Sequence, residues 1–175
     1  SGTAKTANSA NQGQGQSQET EKLDLVKAGQ FYCSYFSQSA LKQMQEHLKT
    51  GHMPPVMKRY LTVCFIDLVG FSTMSESIKD EKIIDVLNYF FNQLHSTIKR
   101  FNGDIDKFIG DAMLVTFESA EDAVRCAIDI ILKDLDVINF KLHFMDVPEI
   151  KVHLGINTGW VLQGNIGSNE RRETT

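Results

Sequence analysis

The sequence has few cysteines, no long apolar run and no excess of basic residues. Its three cysteines, Cys33, Cys64 and Cys126, are odd in number and widely spaced. We therefore expect reduced thiols in a reducing compartment, not disulfides or zinc ligands. No stretch approaches about 18 consecutive apolar residues, so no segment is predicted to span a membrane. The formal net charge of −4 argues against a nucleic-acid partner bound by a broad basic surface.

Other signals are also missing. The histidines show no metal-binding spacing, no internal repeat is visible, and the N-terminus has no apolar signal core. A length of 175 residues with 42% hydrophobic and 23% charged residues fits one soluble domain plus a tail. Residues 1–22 have alanine as their only apolar type, so we predict a disordered tail or a remnant of expression. A cytoplasmic domain is expected, either free or tethered to a membrane through a longer parent chain.

Apolar spacing predicts the order of helices and strands. From Leu23 to Lys49 apolar residues recur every three or four positions, which indicates two short helices. Ser39 is a candidate cap for the second, and Gly51 ends it. Further predictions are a strand at 59–67, a helix at 79–101, a hairpin at 104–109 and 112–117, a helix capped at Ser119, and strands at 150–156 and 160–166 joined through Asn157-Thr158-Gly159. This order predicts an α+β fold with helices on one face of a sheet. Residues 134–146 fit a surface excursion or an interface strand.

Two aspartates follow predicted strands at glycine-containing turns. Phe65-Ile-Asp-Leu-Val-Gly-Phe-Ser72 carries Asp67, and Asp106-Lys-Phe-Ile-Gly-Asp-Ala-Met113 carries Asp111. Alone, each aspartate also fits an ordinary strand end or turn. Together, two carboxylates suit a pair of divalent cations, which phosphoryl transfer on a nucleoside triphosphate requires. The turn after Asp67 is also suited to present backbone N–H groups to phosphate.

Lys107 precedes Asp111 by four residues. Strand alternation predicts that its side chain shares a face with Ile105 and Ile109. Lysine rarely points unpaired into a core, so two interpretations stay open. Either the side chain reaches solvent at the sheet edge, or it meets a partner.

Three segments, in order, resemble the class III nucleotidyl cyclase catalytic domain, the family of adenylyl and guanylyl cyclases. The first two are residues 65–72 and 107–113, and the third is Leu154-Gly-Ile-Asn-Thr-Gly-Trp-Val161, continuing through Gly164, Gly167 and Arg171. The resemblance covers about residues 56–175. Residues 23–55 resemble the lead-in helices that join such domains to an upstream sensor. The resemblance implies a ferredoxin-like βαββαβ core.

The resemblance also implies an activity: conversion of ATP to 3′,5′-cyclic AMP and pyrophosphate by two-metal-ion catalysis. The catalytic residues are then Asp67 and Asp111, which bind two Mg²⁺ or Mn²⁺ ions together with the Leu68 carbonyl. Lys107 and Thr175 match the purine-selecting positions, and guanylyl cyclases usually carry glutamate in place of the lysine. The implied phosphate-binding residues are Val69, Gly70, Phe71, Ser72, Thr73 and Arg171.

A head-to-tail homodimer with ATP sites at the subunit interface is implied as well. In that arrangement Lys107 and Asp111 of one chain serve different sites. The sequence departs from the family at two places. Thr174 stands where an aromatic residue is usual, and Thr175 ends the chain before the positions of a family asparagine and arginine. We therefore expect a C-terminally truncated domain that is inactive alone.

Three alternatives accompany this interpretation. One is a guanylate cyclase, and another is a non-enzymatic module for nucleotide binding or dimerisation that regulates a partner. Cyclic-dinucleotide synthases and polymerase palms share the predicted strand order. However, the hairpin Ile109-Gly-Asp-Ala112 lacks the Gly-Gly-Asp/Glu-Glu-Phe turn of the synthases, which argues against that third alternative.

Overall fold

The computed structural model describes residues 33–52, 55–167 and 172–174, together with Lys27, Gly29 and Phe31. The chain divides into two compact units, Ser1–Phe36 and Ser37–Thr175. In the first unit, the described positions 27, 29, 31 and 33 are helical. The tail predicted at 1–22 lies outside the described residues.

The second unit contains an antiparallel sheet and a set of helices. The helices are α1 (Gln38–Thr50), α2 (Phe71–Ser77), α3 (Asp80–Arg100), α4 (Ala120–Asp129) and α5 (Leu135–His143), with a π-helical turn, Ile130–Asp134, between α4 and α5. The strands are β1 (Met57–Leu68), β2 (Asp104–Ile109), β3 (Ala112–Phe117), β4 (Val152–Gln163), β5 (Asn165–Gly167) and β6 (Arg172–Thr174).

The main sheet has the strand order β2-β3-β1-β4, and every neighbouring pair is antiparallel. With α3 between β1 and β2 and α4 to α5 between β3 and β4, this is the ferredoxin-like βαββαβ arrangement. The predicted fold class is therefore confirmed. β5 and β6 form a separate two-stranded sheet.

The core lies between one face of the sheet and the long helices. Alternate residues of β1 (Cys64, Ile66 and Leu68) are buried on this face. On α3, Val86, Phe90, Leu94 and Ile98 follow one another at intervals of four residues and are fully buried, which forms one apolar stripe. Burial of each such side chain stabilises the fold by about 1.5–3 kcal/mol. The opposite sheet surface, here called the outer face, carries the residues of β1 that alternate with these, among them Phe65 and Asp67.

Helix ends follow local capping chemistry. At the end of α3, the Asn102 N–H donates to the Lys99 carbonyl at 3.1 Å and the Gly103 N–H donates to the Ile98 carbonyl at 2.9 Å. Asn102 takes the left-handed conformation, so these bonds form a Schellman motif. The predicted cap of α4 is confirmed, because the Ser119 hydroxyl accepts from the Asp122 N–H at 3.2 Å.

The predicted cap of α1 is wrong. Ser37 caps this helix instead of Ser39, because its backbone is extended and its hydroxyl accepts from the Ala40 N–H at 3.2 Å. Asp104, at the start of β2, also binds this end of α1. Its carboxylate accepts from the N–H groups of Gln38 and Ser39 at 3.1 and 3.0 Å. The helix is therefore docked on the sheet by a residue of β2.

The predicted break at Asn157-Thr158-Gly159 is also wrong. These residues lie within a continuous β4, because β4 pairs with β1 along its whole length. The hydroxyl groups of Thr62 and Thr158, which face each other across the two strands, are 2.9 Å apart. Gly159 does not take a left-handed conformation, so it continues the strand.

Residues 134–146 form neither a surface excursion nor a strand. The π-helical turn leads directly into α5, which buries Ile138 and Leu142 at a spacing of four residues. The Asn139 amide then holds the backbone before β4, accepting from the Ile150 N–H at 2.8 Å and donating to its carbonyl at 3.0 Å. Within the described ranges, no helix has the length and apolarity needed to cross a bilayer.

Candidate active site

Strand register brings the two predicted metal-binding aspartates to the same end of the sheet. β1 and β3 pair from Thr62–Phe117 to Ile66–Met113. Asp67 follows Ile66, the last residue of β1 that pairs with β3, and Asp111 lies two residues before Met113, the partner of Ile66. The end of β1, which carries Asp67, and the β2–β3 turn, which carries Asp111, therefore lie at the same end of the sheet.

The β2–β3 turn has a geometry that requires glycine. Ile109 pairs with Ala112, which leaves Gly110 and Asp111 as a two-residue loop. Gly110 has a φ of 64°, whereas Asp111 is not among the residues with positive φ. Positive φ at the first central residue alone is the signature of a type II′ turn, in which glycine is preferred at that position. The turn holds Asp111, which is half-buried, at the tip of the hairpin.

Asp67 is half-buried on the outer face near the end of β1. Its cross-strand neighbour on β4 is the exposed His153. The next residue, Leu68, buries its side chain on the helix side. This alternation anchors the strand end in the core, so that Asp67 itself points away from the helices.

The segment predicted to bind phosphate begins with a residue whose N–H is already hydrogen-bonded to the segment that precedes β4. The Val69 N–H donates to the Lys151 carbonyl at 2.9 Å. Gly70 follows with φ 68° and ψ 23° and precedes α2. The first hydrogen bond of α2 runs from the Met74 N–H to the Gly70 carbonyl at 3.0 Å. The N–H groups of Phe71, Ser72 and Thr73 precede that bond, so they have no acceptor within the helix.

The face predicted for Lys107 is corrected by a β-bulge. Ile105 pairs with Val115, whereas Lys107 pairs with Leu114, so Asp106 is an extra residue in β2. Leu114 and Val115 are consecutive and point to opposite faces, so Lys107 and Ile105 do too. Ile105 is buried among the helices, whereas Lys107 lies on the outer face, with Asp67.

Contacts on both sides of Lys107 agree with this placement. The ring of Phe108, the next residue, packs on Phe91 of α3 with 4.5 Å between centroids, so Phe108 lies on the helix side. The Lys107 Nζ lies 3.6 Å from the Asp106 carboxylate. Of the two interpretations left open by the sequence, Lys107 meeting a partner is therefore the one observed.

Two predicted site residues, Arg171 and Thr175, lie outside the described residues.

Two neighbours of the site were missed by the sequence analysis. Asp106 carries a visible signal, because Ile105 and Phe108 are three residues apart in a strand and so break the two-residue period. His153 carries no such signal, because its position beside Asp67 depends on the register between β1 and β4.

The donor set fits a hard divalent cation. Asp67, Asp111 and the Leu68 carbonyl offer only oxygen atoms, which Mg²⁺ prefers. Among the described residues, no group of three or more His, Cys, Asp or Glu side chains is arranged to hold a metal ion. Mg²⁺ at phosphoryl-transfer sites is usually held by one or two carboxylates plus substrate phosphates, so a carboxylate pair is sufficient.

Residues 55–173 match the family of the adenylate and guanylate cyclase catalytic domain. This match extends over more than half of the chain. The chain therefore belongs to this cyclase family, in agreement with the resemblance found in the sequence.

Individual relatives include enzymes of both kinds. The chain is 30% identical over 122 residues to an adenylate cyclase of Anabaena cylindrica, covering 67% of this chain and 24% of that protein. The crystal structure of the adenylyl cyclase CyaB from P. aeruginosa aligns with a TM-score of 0.64 at 30% identity, covering 70% of this chain and 67% of that one. The guanylyl cyclase Cya2 aligns with a TM-score of 0.64 at 32% identity, covering 70% and 65%. The chain spans about a quarter of the length of the curated Anabaena relative.

Proposed function

We propose that this domain is an adenylate cyclase, which converts ATP to 3′,5′-cyclic AMP and pyrophosphate. The observation that carries the proposal is the register that brings the end of β1, with Asp67, and the β2–β3 turn, with Asp111, to the same end of the sheet, with Lys107 on the face shared by Asp67. The similarity to the Anabaena and P. aeruginosa adenylyl cyclases supports it.

In this proposal, Asp67, Asp111 and the Leu68 carbonyl hold two Mg²⁺ or Mn²⁺ ions. When bound, such ions lower the pKa of the ribose 3′-hydroxyl and neutralise the charge on the phosphates. The protein positions the reactants. The N–H groups of Phe71, Ser72 and Thr73 are oriented by α2 and donate to phosphate oxygens. Because the Val69 N–H is bound to Lys151, we propose that it supports the turn without contacting phosphate. Arg171 is proposed as a further phosphate contact.

Purine selection is assigned to Lys107, with Thr175 as the second selecting residue. A lysine ammonium is only a donor. On the edge of the base that pairs in nucleic acids, adenine presents the acceptor N1, whereas guanine carries a proton there. A donor on the outer face therefore favours ATP. The similarity to the guanylyl cyclase Cya2 is the observation that favours GTP as the alternative substrate.

We further propose a head-to-tail homodimer with ATP at the interface. The outer face exposes apolar side chains beside the site, among them Phe65 at 39% and Ile109 at 49% exposure. Such side chains are suited to contact a second subunit. Each site then takes its aspartates from one subunit and Lys107 from the other.

The proposal is tested by assaying the purified full-length protein with Mn²⁺ and either ATP or GTP. Asp67→Asn and Asp111→Asn are each expected to lower cyclic AMP formation by on the order of 100-fold or more. Asp85→Asn, on the exposed side of α3, is the matched control and should leave the rate within about twofold. All three variants should melt cooperatively like the parent protein.

Two results would contradict the proposal in different ways. A higher kcat/KM for GTP than for ATP would replace it with a guanylate cyclase. Full activity in both Asp67→Asn and Asp111→Asn would show that the assignment of a two-metal site to these residues is wrong. If full-length protein carrying these substitutions lost cyclase activity but still signalled normally, the domain would act as a regulatory module.

A further inference from the structure

We infer that Asp106 is a positioning residue for Lys107 and so contributes to the choice between ATP and GTP. This inference rests on the proposed function, because it gives Asp106 a role only if Lys107 reads the purine. It concerns a residue that forms no part of the metal site. Its basis is the β-bulge of β2 and the ion pair formed there.

The ion pair depends on the bulge. In a regular strand, adjacent side chains point to opposite faces, so neighbouring residues cannot form an ion pair. Here the Asp106 carboxylate lies 3.6 Å from the Lys107 Nζ. The extra residue in β2 lets the two side chains meet. It also places Lys107 on the outer face, since a strand without it would turn Lys107 towards the helices.

Burial strengthens this pair. The Asp106 side chain is 10% exposed and that of Lys107 is 23% exposed. An ion pair between fully exposed side chains contributes little, but one that is largely shielded from water is stronger. Lys107 also pairs across the strands with Leu114, which in turn pairs with Phe65. Its four-carbon stem therefore lies over apolar surface, whereas the ammonium is held by Asp106.

A held ammonium selects a base better than a freely rotating one. Lysine has a flexible side chain, and ordering it costs conformational entropy when the base binds. The Asp106 carboxylate restricts the position of the Nζ before ATP arrives. Loss of the carboxylate should therefore weaken discrimination without removing the metal site.

The test measures kcat/KM for ATP and for GTP in the full-length protein. Asp106→Asn is expected to lower the ATP/GTP ratio about tenfold, mainly through a higher KM for ATP, and Lys107→Gln about 100-fold. Asp106→Glu keeps the charge and should stay within about threefold of the parent. In the double variant Asp106→Asn/Lys107→Gln, the ratio should equal that of Lys107→Gln alone, because the proposed effect of the carboxylate on purine choice is exerted through the lysine.

Asp104→Asn is the matched control, because it makes the same change in the same strand, away from Lys107. It should leave the ATP/GTP ratio within twofold. Thermal melts show whether each variant folds, and Asp106→Ser takes the place of Asp106→Asn if the latter does not. If Asp106 had a purely structural role, Asp106→Asn would lower kcat/KM equally for ATP and GTP and leave their ratio unchanged.

The outcomes distinguish a failure of the positioning role of Asp106 from a failure of the purine assignment of Lys107. If Lys107→Gln lowers the ratio but Asp106→Asn leaves it within twofold, the positioning role is wrong and the adenylate cyclase assignment stands. Additive effects in the double variant would also overturn the positioning role. If Lys107→Gln leaves the ratio unchanged, the purine assignment of Lys107 fails, and the role of Asp106 fails with it.

Discussion

Ile66 of β1 pairs with Met113 of β3, and this one pairing determines which residues meet at the end of the sheet. Both side chains are buried against the helices. The residue after Ile66 and the residue two before Met113 are the aspartates of the proposed metal site. A slip of one residue would turn Ile66 or Met113 to the outer face, so the apolar core itself fixes the relation between Asp67 and Asp111.

The turn at Gly110 should matter for activity. Its φ of 64° is one that alanine adopts only with strain, although there is open space around it. Gly110→Ala is expected to lower the free energy of unfolding by about 1 kcal/mol and to reduce activity further by moving Asp111. Denaturant titration and the cyclase assay measure the two effects. Gly159→Ala is the stability control, because a Cβ there has open space and no positive φ. Equal activity of Gly110→Ala and the parent protein would show that the turn does not position Asp111.

Gly103 should tolerate no side chain, for a different reason. A Cβ there would lie 2.6 Å from the Ile98 side chain and 2.7 Å from that of Phe117, and both residues are buried. Gly103→Ala should therefore destabilise the fold by about 1–3 kcal/mol through overpacking. Urea titration is the measurement. Stability equal to that of the parent protein would contradict the close packing between the end of α3 and β3.

Asp104 should hold α1 on the sheet. Asp104→Ala removes a carboxylate that accepts two backbone N–H groups and lies 3.4 Å from the Lys99 Nζ. We expect faster hydrogen exchange in the first turn of α1 and a loss of about 1–2 kcal/mol in the free energy of unfolding. Asp104→Asn retains an acceptor and should show a smaller effect. Unchanged exchange in α1 with Asp104→Ala would show that the helix is held by other contacts.

The buried cysteines make stability depend on alkaline pH. Burial raises the pKa of the Cys64 thiol to about 11 and that of Cys126 to about 12. Both thiols therefore bind protons more tightly in the folded state. Their contribution to the free energy of unfolding is complete below the ordinary pKa of a thiol, about 9. It is lost as the pH rises from there through the raised values. Denaturant titrations from pH 7 upwards should show this decline, and Cys64→Ala/Cys126→Ala should show less of it.

Thiol labelling gives an independent check of the same burial. At pH 8, iodoacetamide should modify the exposed Cys33 and leave Cys64 and Cys126 intact until the protein unfolds. Mass spectrometry of the labelled peptides distinguishes the three sites. Modification of Cys64 at the rate of Cys33 would contradict its burial.

Much of the fold could be predicted from the sequence, because local signals and tertiary packing agree there. The bounds of β2 and β3 match the prediction, since two apolar runs are separated by Gly110-Asp111, a strong turn signal. The α3 stripe is equally clear. The prediction failed where pairing overrides local signals. Asn157-Thr158-Gly159 resembles a turn, but pairing with the long β1 keeps these residues in one strand.

The sequence indicates the candidate site residues but not their geometry. Asp67 and Asp111 stand out as carboxylates at glycine-containing turns, yet their placement at the same end of the sheet depends on a register between strands that are distant in sequence. The face occupied by Lys107 was predicted wrongly, because simple alternation fails at a bulge. The same bulge lets the Asp106 carboxylate lie close to the Lys107 ammonium.

The most direct test of the account is to locate the metal ions. Crystals of the full-length protein grown with Mn²⁺ and a non-cyclisable ATP analogue would show the ions by anomalous diffraction at the manganese edge. We predict two peaks, with carboxylate oxygens of Asp67 and Asp111 in direct contact with them and the analogue's phosphates completing their coordination. Peaks that contact only one aspartate, or neither, would contradict the shared metal site.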